Sequence, residues 1–555
     1  MQSDSPDSSE PAARAGNRSG ELRAVLGVWL ALAAILFCLG GENAFQPGLY
    51  YDEAIFGGLA RDFVAGPARG QHMPNTGVVE VFGRPFPVFV QSYLGAVKSW
   101  MLIPSVALFG PNVPALRLTN LAWSAAGLLL FMLWTWRMAG LKVALAAGPL
   151  LALDPAFFFT GVLDWGSAAP GLLFRFAGFL FAVRAWEKGK ARDAFLAGFC
   201  LGLGLFNKID FAVLLLGAGL GAAGAFGRPL AAFVVRRRLL AEMGGLGFLL
   251  GGGLMLSQVA EIHAHHHGFA PPGELNEKLH TLQMMGDGSY FYRLMAAGGR
   301  FDTMCQVPSA AWTPFSVVLA AAAVALAAGV LRRDGEEKAR RLSLFLLLTT
   351  VFVTAGVLLL PGAVRLHHAL LVLPFPHLII AAALVGGWQR WSDGRRAART
   401  GRALLAAGFV VLLGWQTVAI ARTQRLIRET GGRGWWSEAL VQFCQKVKGR
   451  TDLVIISLDW GFNEPLLFLA DGPRMEEPIW QWNANPGVDL SSPPDGDNLV
   501  YLFHPDQYSL FTFGHNFARL VPPAGKRLSI QTWCDAQGQP AFYSARFVTN
   551  PDSQR

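Results

Sequence analysis

Apolar runs of about twenty residues recur along this chain, separated by short loops rich in Lys and Arg, and that pattern fits helices crossing a bilayer. Composition agrees, with 52% hydrophobic and only 15% charged residues and a mean hydropathy of +0.36; a soluble domain has about 25% charged residues. The chain therefore reads as a polytopic membrane protein. Its net charge of +9 does not point to nucleic acid, because most of it sits in the loops, where basic residues set orientation.

Residues 1–22 read as a disordered cytoplasmic tail. The run from Val25 to Gly40 follows Arg14, Arg18 and Arg23 and lacks an A-x-A cleavage site, which makes it a signal anchor with the N-terminus in the cytoplasm. Ten further runs, at 113–136, 143–160, 166–184, 193–206, 209–226, 239–258, 313–331, 342–360, 368–387 and 403–421, alternate between basic and less basic loops. About eleven spans follow, with the C-terminus outside. The expected fold class is thus a mainly α, polytopic helical membrane protein, with a transmembrane domain over 23–422 and outer loops at 42–112 and 259–312. The stretch 86–109 contains Pro87, Lys98 and Pro104 and reads as juxtamembrane helices on the outer surface. Residues 423–555 hold no long apolar run, and Val454–Leu458 and Leu499–Phe503 look like strands. They read as a small extracytoplasmic α/β domain, in which Cys444 and Cys534 could pair in an oxidising compartment.

That topology gathers the candidate chemistry on the outer face. Asp52 and Glu53 follow the first run directly, and with them lie Glu80, Arg84, Asp164, Lys208, Asp210, the segment from Glu261 to His267, Arg293, Arg300 and Arg365-Leu366-His367-His368. Ionisable groups held beside a bilayer are costly, and their convergence marks candidate sites. Asp52-Glu53 alone could equally be a solvated first helical turn. A carboxylate such as Asp52 can take a proton from a hydroxyl or amine. Cations such as Lys208, Arg293, Arg300 and Arg365 can hold a phosphate and the charge that develops as it leaves, although an arginine at this level can also simply snorkel to headgroups. Lys208 stands at a break between two short apolar runs, where backbone can line a cavity. No Walker or HExxH pattern occurs.

An ordered series carries a resemblance: Tyr51-Asp52-Glu53-Ala54, Arg84-Pro85-Phe86-Pro87, Leu108-Phe109-Gly110 with Leu116-Arg117-Leu118, Leu163-Asp164, Asn207-Lys208, and His367-His368 ahead of Leu373-Pro374-Phe375. Across residues 22–422 it resembles the GT-C superfamily of membrane glycosyltransferases, and it is similar in particular to bacterial members related to the protein O-mannosyltransferases and the lipid A aminoarabinose transferase. The resemblance implies an enzyme of the plasma (inner) membrane that transfers a hexose or pentose from a polyprenyl-phosphate-sugar donor. The acceptor on the outer face would be a protein, lipid or polysaccharide. It places Asp52 as the catalytic acid, Glu53 as its neighbour and Asp164 as the second acid of the catalytic set. It also places Lys208 as a contact to the donor phosphate and Arg84 and Arg117 at motif positions. His367 and His368 would contact that phosphate or anchor at the interface.

Two departures bear on this. Asn207 stands where the usual residue is a small hydroxyl. Gly83 precedes Arg84-Pro85 and Gly299 precedes Arg300, where metal-binding relatives have an acid and a histidine. A divalent metal is thus a possible but unassigned cofactor, and the run His263 to His267 is its other candidate. The rival function is a transporter or flippase for a lipid-linked or anionic solute, which would set charges on both sides of mid-membrane and often repeat one half in the other. A structural assembly protein with a receptor-like outer domain is the third reading.

Overall fold

A computed structural model describes residues 9–163, 166–265, 270–333, 336–391, 396–484, 496–519 and 521–550. The first half runs through α1 (Ser9–Gly40), α2 (Tyr51–Ala65), strands β1 (Gly77–Val81), β2 (Arg84–Gln91) and β3 (Leu94–Gly95), α3 (Val97–Phe109), α4 (Val113–Ala139), α5 (Leu141–Ala152), α6 (Pro155–Val162), α7 (Ala168–Lys188), α8 (Ala191–Asn207), α9 (Phe211–Arg236) and α10 (Arg238–Leu256). Short helices α11 (Val259–His265), α12 (Pro272–Gly286), α13 (Tyr290–Ala296) and α14 (Phe301–Met304) lead into α15 (Phe315–Leu331), α16 (Glu337–Leu359), α17 (Leu366–Ala369), α18 (Phe375–Arg390) and α19 (Arg396–Thr430).

Every expected span falls on a helix, but the number long and apolar enough to cross a membrane is smaller than eleven. Among the described residues it is eight, or nine if α5 and α6, bent by 62° to each other, form one broken span. The break has a local cause. Asp154 caps α6 by accepting from the amides of Ala156 and Phe157, and Pro155 follows it at the first helical position. The two remaining expected spans form α8 and α15, each of 17 residues, short of the roughly 20 that a bilayer asks for.

The stretch 86–109 is a correction. Its first part is strand: β2 pairs antiparallel with β1 on one side and β3 on the other. Phe86, Val88, Phe89 and Val90 are aromatic or β-branched residues that suit a strand, and Pro85 and Pro87 disfavour a helix here. Only Val97–Phe109 is helical, with 13 residues.

Glycine lets α8 and α10 pack backbone to backbone. A Cβ on Gly198 would lie 1.8 Å from the carbonyl oxygen of Gly244, and one on Gly247 would lie 2.2 Å from that of Phe195. Gly198-x-x-x-Gly202 and Gly247-x-x-x-Gly251 form the small-residue seam by which membrane helices associate. The seam fixes the helix whose end carries Lys208.

After α19 come α20 (Glu438–Val447), β4 (Val454–Ser457), α21 (Asn463–Leu469), β5 (Arg474–Glu476), α22 (Ile479–Ala484), β6 (Leu499–Phe503), α23 (Phe513–Ala518), β7 (Lys526–Cys534) and β8 (Pro540–Thr549). They build one sheet in the order β5-β4-β6-β8-β7, parallel across β5, β4 and β6 and antiparallel at β8 and β7. Phe443, Ile455, Val500, Leu502 and Phe542 fill its core. The five cysteines are free thiols, so no Cys444–Cys534 bridge forms; Cys444 is buried and Cys534 exposed.

This domain sits on α2 and the loop that follows it. Arg69 donates to the carbonyls of Thr451 and Gly472 at 2.7 and 2.9 Å, Met475 N donates to the carbonyl of Arg69 at 2.7 Å, and Arg61 pairs with Asp471 at 2.8 Å. His72 bridges Asp62 of α2 at 3.1 Å and Glu464 of α21 at 2.6 Å. Helix α2 is thereby held between the membrane bundle and the C-terminal sheet, and its first turn faces the junction.

Candidate active site

The site is organised by the start of α2. Tyr50 is the residue before the helix, and the Glu53 carboxylate folds back to accept from its amide at 3.2 Å, so the chain closes its own first turn. Arg117 of α4 holds the same carboxylate through two contacts, at 2.7 and 3.2 Å. The guanidinium also donates to the carbonyls of Asn43, Pro47 and Gly48 at 3.0, 2.7 and 2.8 Å. Glu53 is fully buried and Arg117 nearly so; burial pushes the Glu53 carboxyl up while Arg117 pulls it down. Glu53 thus turns these bonds inward and holds the first turn beside Asp52. Arg117 ties the loop before α2 to the bundle.

Asp52, one residue earlier and about 100° around the helix, is only half-buried. It lies within electrostatic reach of Tyr50, Tyr93 and Lys208. The Tyr93 phenol, between β2 and β3, is pushed up to about 12 by burial and by the charges of Asp52 and Asp210.

Opposite this acid, α8 ends at Asn207, whose side-chain amide donates to the carbonyl of Ser167 at 2.8 Å. That bond is the local role of the residue that replaces a hydroxyl here. Lys208 then adopts an extended backbone, and Ile209 N donates to the carbonyl of Tyr93 at 3.1 Å. Asp210 begins α9. Its carboxylate accepts from the Lys208 ammonium at 3.2 Å and from His368 Nδ1 at 2.7 Å. His368 comes from α17, so three separate segments meet in one ionic knot.

Beside the knot lies a small pocket lined by Ser167, Ala168, Gly171, Leu172, Arg175, Asn207, Lys208, Asp210, Phe211, His367, Leu370 and Leu371. Its polar residues are mostly donors and cations, and its other walls are aliphatic or aromatic. Such a lining suits a phosphate joined to a hydrocarbon.

Of the residues singled out in the sequence, Asp52, Lys208, His367 and His368 come together here. Arg365 stands nearby, its guanidinium 3.7 Å over the ring of Phe301 and within electrostatic reach of Tyr50. The other arginines are engaged elsewhere and depart from expectation as substrate contacts. Arg84 is exposed and donates to the carbonyls of Phe63 and Val64, capping the far end of α2 about 17 Å along the helix from Asp52. Arg293 donates to the carbonyls of Cys305 and Val307 at 3.0 and 2.6 Å. Arg300 pairs with Asp302 and reaches the carbonyl of Ser509 at 2.6 Å, a strut to the C-terminal domain. Asp164, His266 and His267 lie outside the described residues.

Arg175 was missed. It sits in mid-α7, 2% exposed, and donates to the carbonyls of Leu370 and Leu373, while its buried Nε has no partner among the described residues. A signal was present, since an arginine inside an apolar run is a functional candidate by default. Among the described residues no three His, Cys, Asp or Glu side chains are placed to share a metal ion. Gly83 and Gly299 carry no side-chain ligand atoms, so the described residues beside Arg84 and Arg300 offer no such metal site.

Comparison with known proteins accords with this anatomy. The sequence profile described as dolichyl-phosphate-mannose-protein mannosyltransferase matches residues 95–253, a stretch that includes Arg117, Arg175, Lys208 and Asp210 but neither Asp52 nor His368. A search of curated proteins finds no match. Among solved structures, ArnT from Cupriavidus metallidurans in the apo state is similar at a TM-score of 0.50 and 14% identity, over 94% of this chain and 98% of that one. The oligosaccharyltransferase of Archaeoglobus fulgidus in the apo form is similar at 0.51 and 12% identity, over 86% of this chain and 69% of that one. The architecture is the GT-C fold of integral membrane glycosyltransferases. Within it, the chain resembles the ArnT and protein mannosyltransferase branch.

Proposed function

We propose that this protein is a glycosyltransferase of the plasma (inner) membrane that moves a sugar from a polyprenyl-phosphate-sugar donor to an acceptor on the outer face. The observation that carries the reading is that the half-buried Asp52 lies within electrostatic reach of Lys208, which lines a pocket with both cationic and apolar walls. In this reading the donor phosphate lies against Lys208 and Arg175, and its isoprenoid runs along Leu172, Leu370 and Leu371. Asp52 removes the proton of the acceptor hydroxyl or amine as that atom bonds to the anomeric carbon. The bond from anomeric carbon to phosphate oxygen breaks, its electron pair leaves with the phosphate, and the cations hold the new charge. Transfer inverts the anomeric centre, and the leaving group needs neutralisation but no proton. Asp164 would serve as the second acid of the set.

The test is turnover of a radiolabelled polyprenyl-phosphate sugar by the purified full-length protein. Release of polyprenyl phosphate that disappears in Asp52→Asn is the expected result. Movement of intact donor across liposomes, undiminished in Asp52→Asn, would instead establish the transporter.

A further inference from the structure

Parallel strands β5, β4 and β6 point their carboxyl ends toward the start of α2. The chain leaves β4 to form β5 on one side, then crosses over to form β6 on the other. In open α/β sheets the crevice at such a reversal, outside the carboxyl ends of the strands, is where ligands bind. Here the loops that follow β4 and β5 meet Tyr51, the residue before Asp52.

The lining of the crevice suits a sugar. Trp460 follows β4 and lies 4.8 Å from the ring of Tyr51, tilted by 32°. Glu477 follows β5, and its Oε2 accepts from the Tyr51 hydroxyl at 3.1 Å and from Trp480 Nε1 at 2.8 Å. The other oxygen of Glu477, Oε1, is buried with no partner among the described residues. Phe511, beyond β6, stands 6.1 Å from Trp480. Asp459 fastens these loops to each other, accepting from the amides of Trp460, Leu510 and Phe511 at 2.9, 3.0 and 3.2 Å. Trp460, Glu477, Trp480 and Phe511 are each only half-buried.

We infer that this crevice is the acceptor subsite and that the acceptor is an uncharged carbohydrate. Its ring would stack on Trp460 and Trp480, with a hydroxyl bonded to Glu477. Aromatic faces take up the C–H face of a pyranose while a carboxyl orders its hydroxyls. Burial holds the Glu477 carboxyl up at about 8, helped by the nearby Glu464, so near neutral pH it is largely protonated and can donate to a sugar oxygen. The inference rests on the transferase reading for the identity of the acceptor, but binding can be measured apart from turnover.

Saturation-transfer NMR on the full-length protein in nanodiscs would use methyl glycosides of glucose, galactose and mannose, with a threonine-containing peptide as the alternative probe. Transfer to glycoside ring protons is expected, weakened by about fivefold in Glu477→Gln, as for loss of one hydrogen bond between uncharged groups, and weakened as well in Trp480→Phe, which offers a smaller face. Glu477→Gln keeps the side-chain shape and Trp480→Phe keeps a ring, so each reports if the other misfolds. Signal from the peptide alone, or glycoside signal unmoved by both variants, would overturn the inference. Glycoside binding without any donor turnover would leave it standing as a carbohydrate site and remove only the transferase reading.

Discussion

Two buried clusters in this molecule use the same chemical parts and arrive at different ends. In one, Asp210 accepts from Lys208 and His368 at 3.2 and 2.7 Å; in the other, His72 stands between Asp62 and Glu464 at 3.1 and 2.6 Å. The second is closed on itself. Both nitrogens of His72 are used, Glu464 also accepts from Met73 N at 2.8 Å, and Asp62 from Ala68 N at 3.0 Å. The first borders a cavity that Lys208, His367 and Arg175 also line. A charged cluster becomes a site where its surroundings leave donors facing space; where every bond is made internally it is a staple between domains.

The sharpest way to break that distinction is Asp52→Asn. If the open cluster serves transfer, this substitution lowers turnover by about 10²–10⁴, the share of a general base, and leaves the unfolding midpoint in place. Near-wild-type turnover would mean that another group takes the proton. Next comes Lys208→Met, for which loss of one group stabilising the leaving charge predicts a fall of about 10²–10³ in turnover. Competition by free polyprenyl phosphate should weaken with it. A drop in turnover without any change in that competition would place the lysine away from the phosphate.

The two clusters also differ in how legible they were. Lys208 stands out in sequence because it interrupts two apolar runs, and His367-His368 because they open another. Asp52 was visible beside Glu53, but nothing in the order of the two residues tells which faces the cavity; Arg117, sixty-odd positions away, decides that by claiming Glu53. The staple was opaque for the same reason. His72, Asp62 and Glu464 are ordinary surface-type residues until α2 and α21 pack together. Spans were readable from hydropathy, since each is a local property of the chain. The strand at Arg84–Gln91 differs from the expected surface helix because its near-continuous apolar run has no helical or strand period, and only its prolines and β-branched residues favour the strand. Arg84, Arg293 and Arg300 show that charge on the expected face is weak evidence, as each is satisfied by backbone carbonyls or a neighbouring acid. Arg175 shows the converse, an intramembrane charge that merited a place and was passed over.

Glu53 and Arg117 test the claim that inward-turned bonds mean structure. Arg117→Ala would leave a buried carboxylate with no counter-charge, at a cost of about 3–5 kcal/mol. The thermal midpoint should fall accordingly, and whatever folds should still turn over donor with an unchanged pH profile. A shifted profile in soluble, folded Arg117→Ala would show that Glu53 takes part in the proton transfer.

The smallest expected effect belongs to His72, and its sign follows from its surroundings. Burial lowers the imidazole, but Glu464 and Asp62 outweigh it and raise it from the ordinary 6.5 to about 10. Below pH 6.5 the residue is protonated folded or unfolded, and its contribution to stability is fully present. Between 6.5 and 10 only the folded form keeps the proton, so stability falls as pH rises and the contribution is gone above the upper value. Arg61, bonded to Asp62 at 2.9 Å, and Glu477, close enough to feel Glu464, also face this cluster. The comparison must therefore be made against His72→Gln, which retains those charges. Hydrogen exchange of α21 should loosen with rising pH from 6.5 to 10 in the wild type more than in the variant. At pH 6 the variant should be less stable by about 1.5–3 kcal/mol, as for loss of one charged hydrogen bond. Parallel pH curves for the two proteins would mean that His72 is neutral in the seam, and that the staple is held by Arg61 and Arg69 alone.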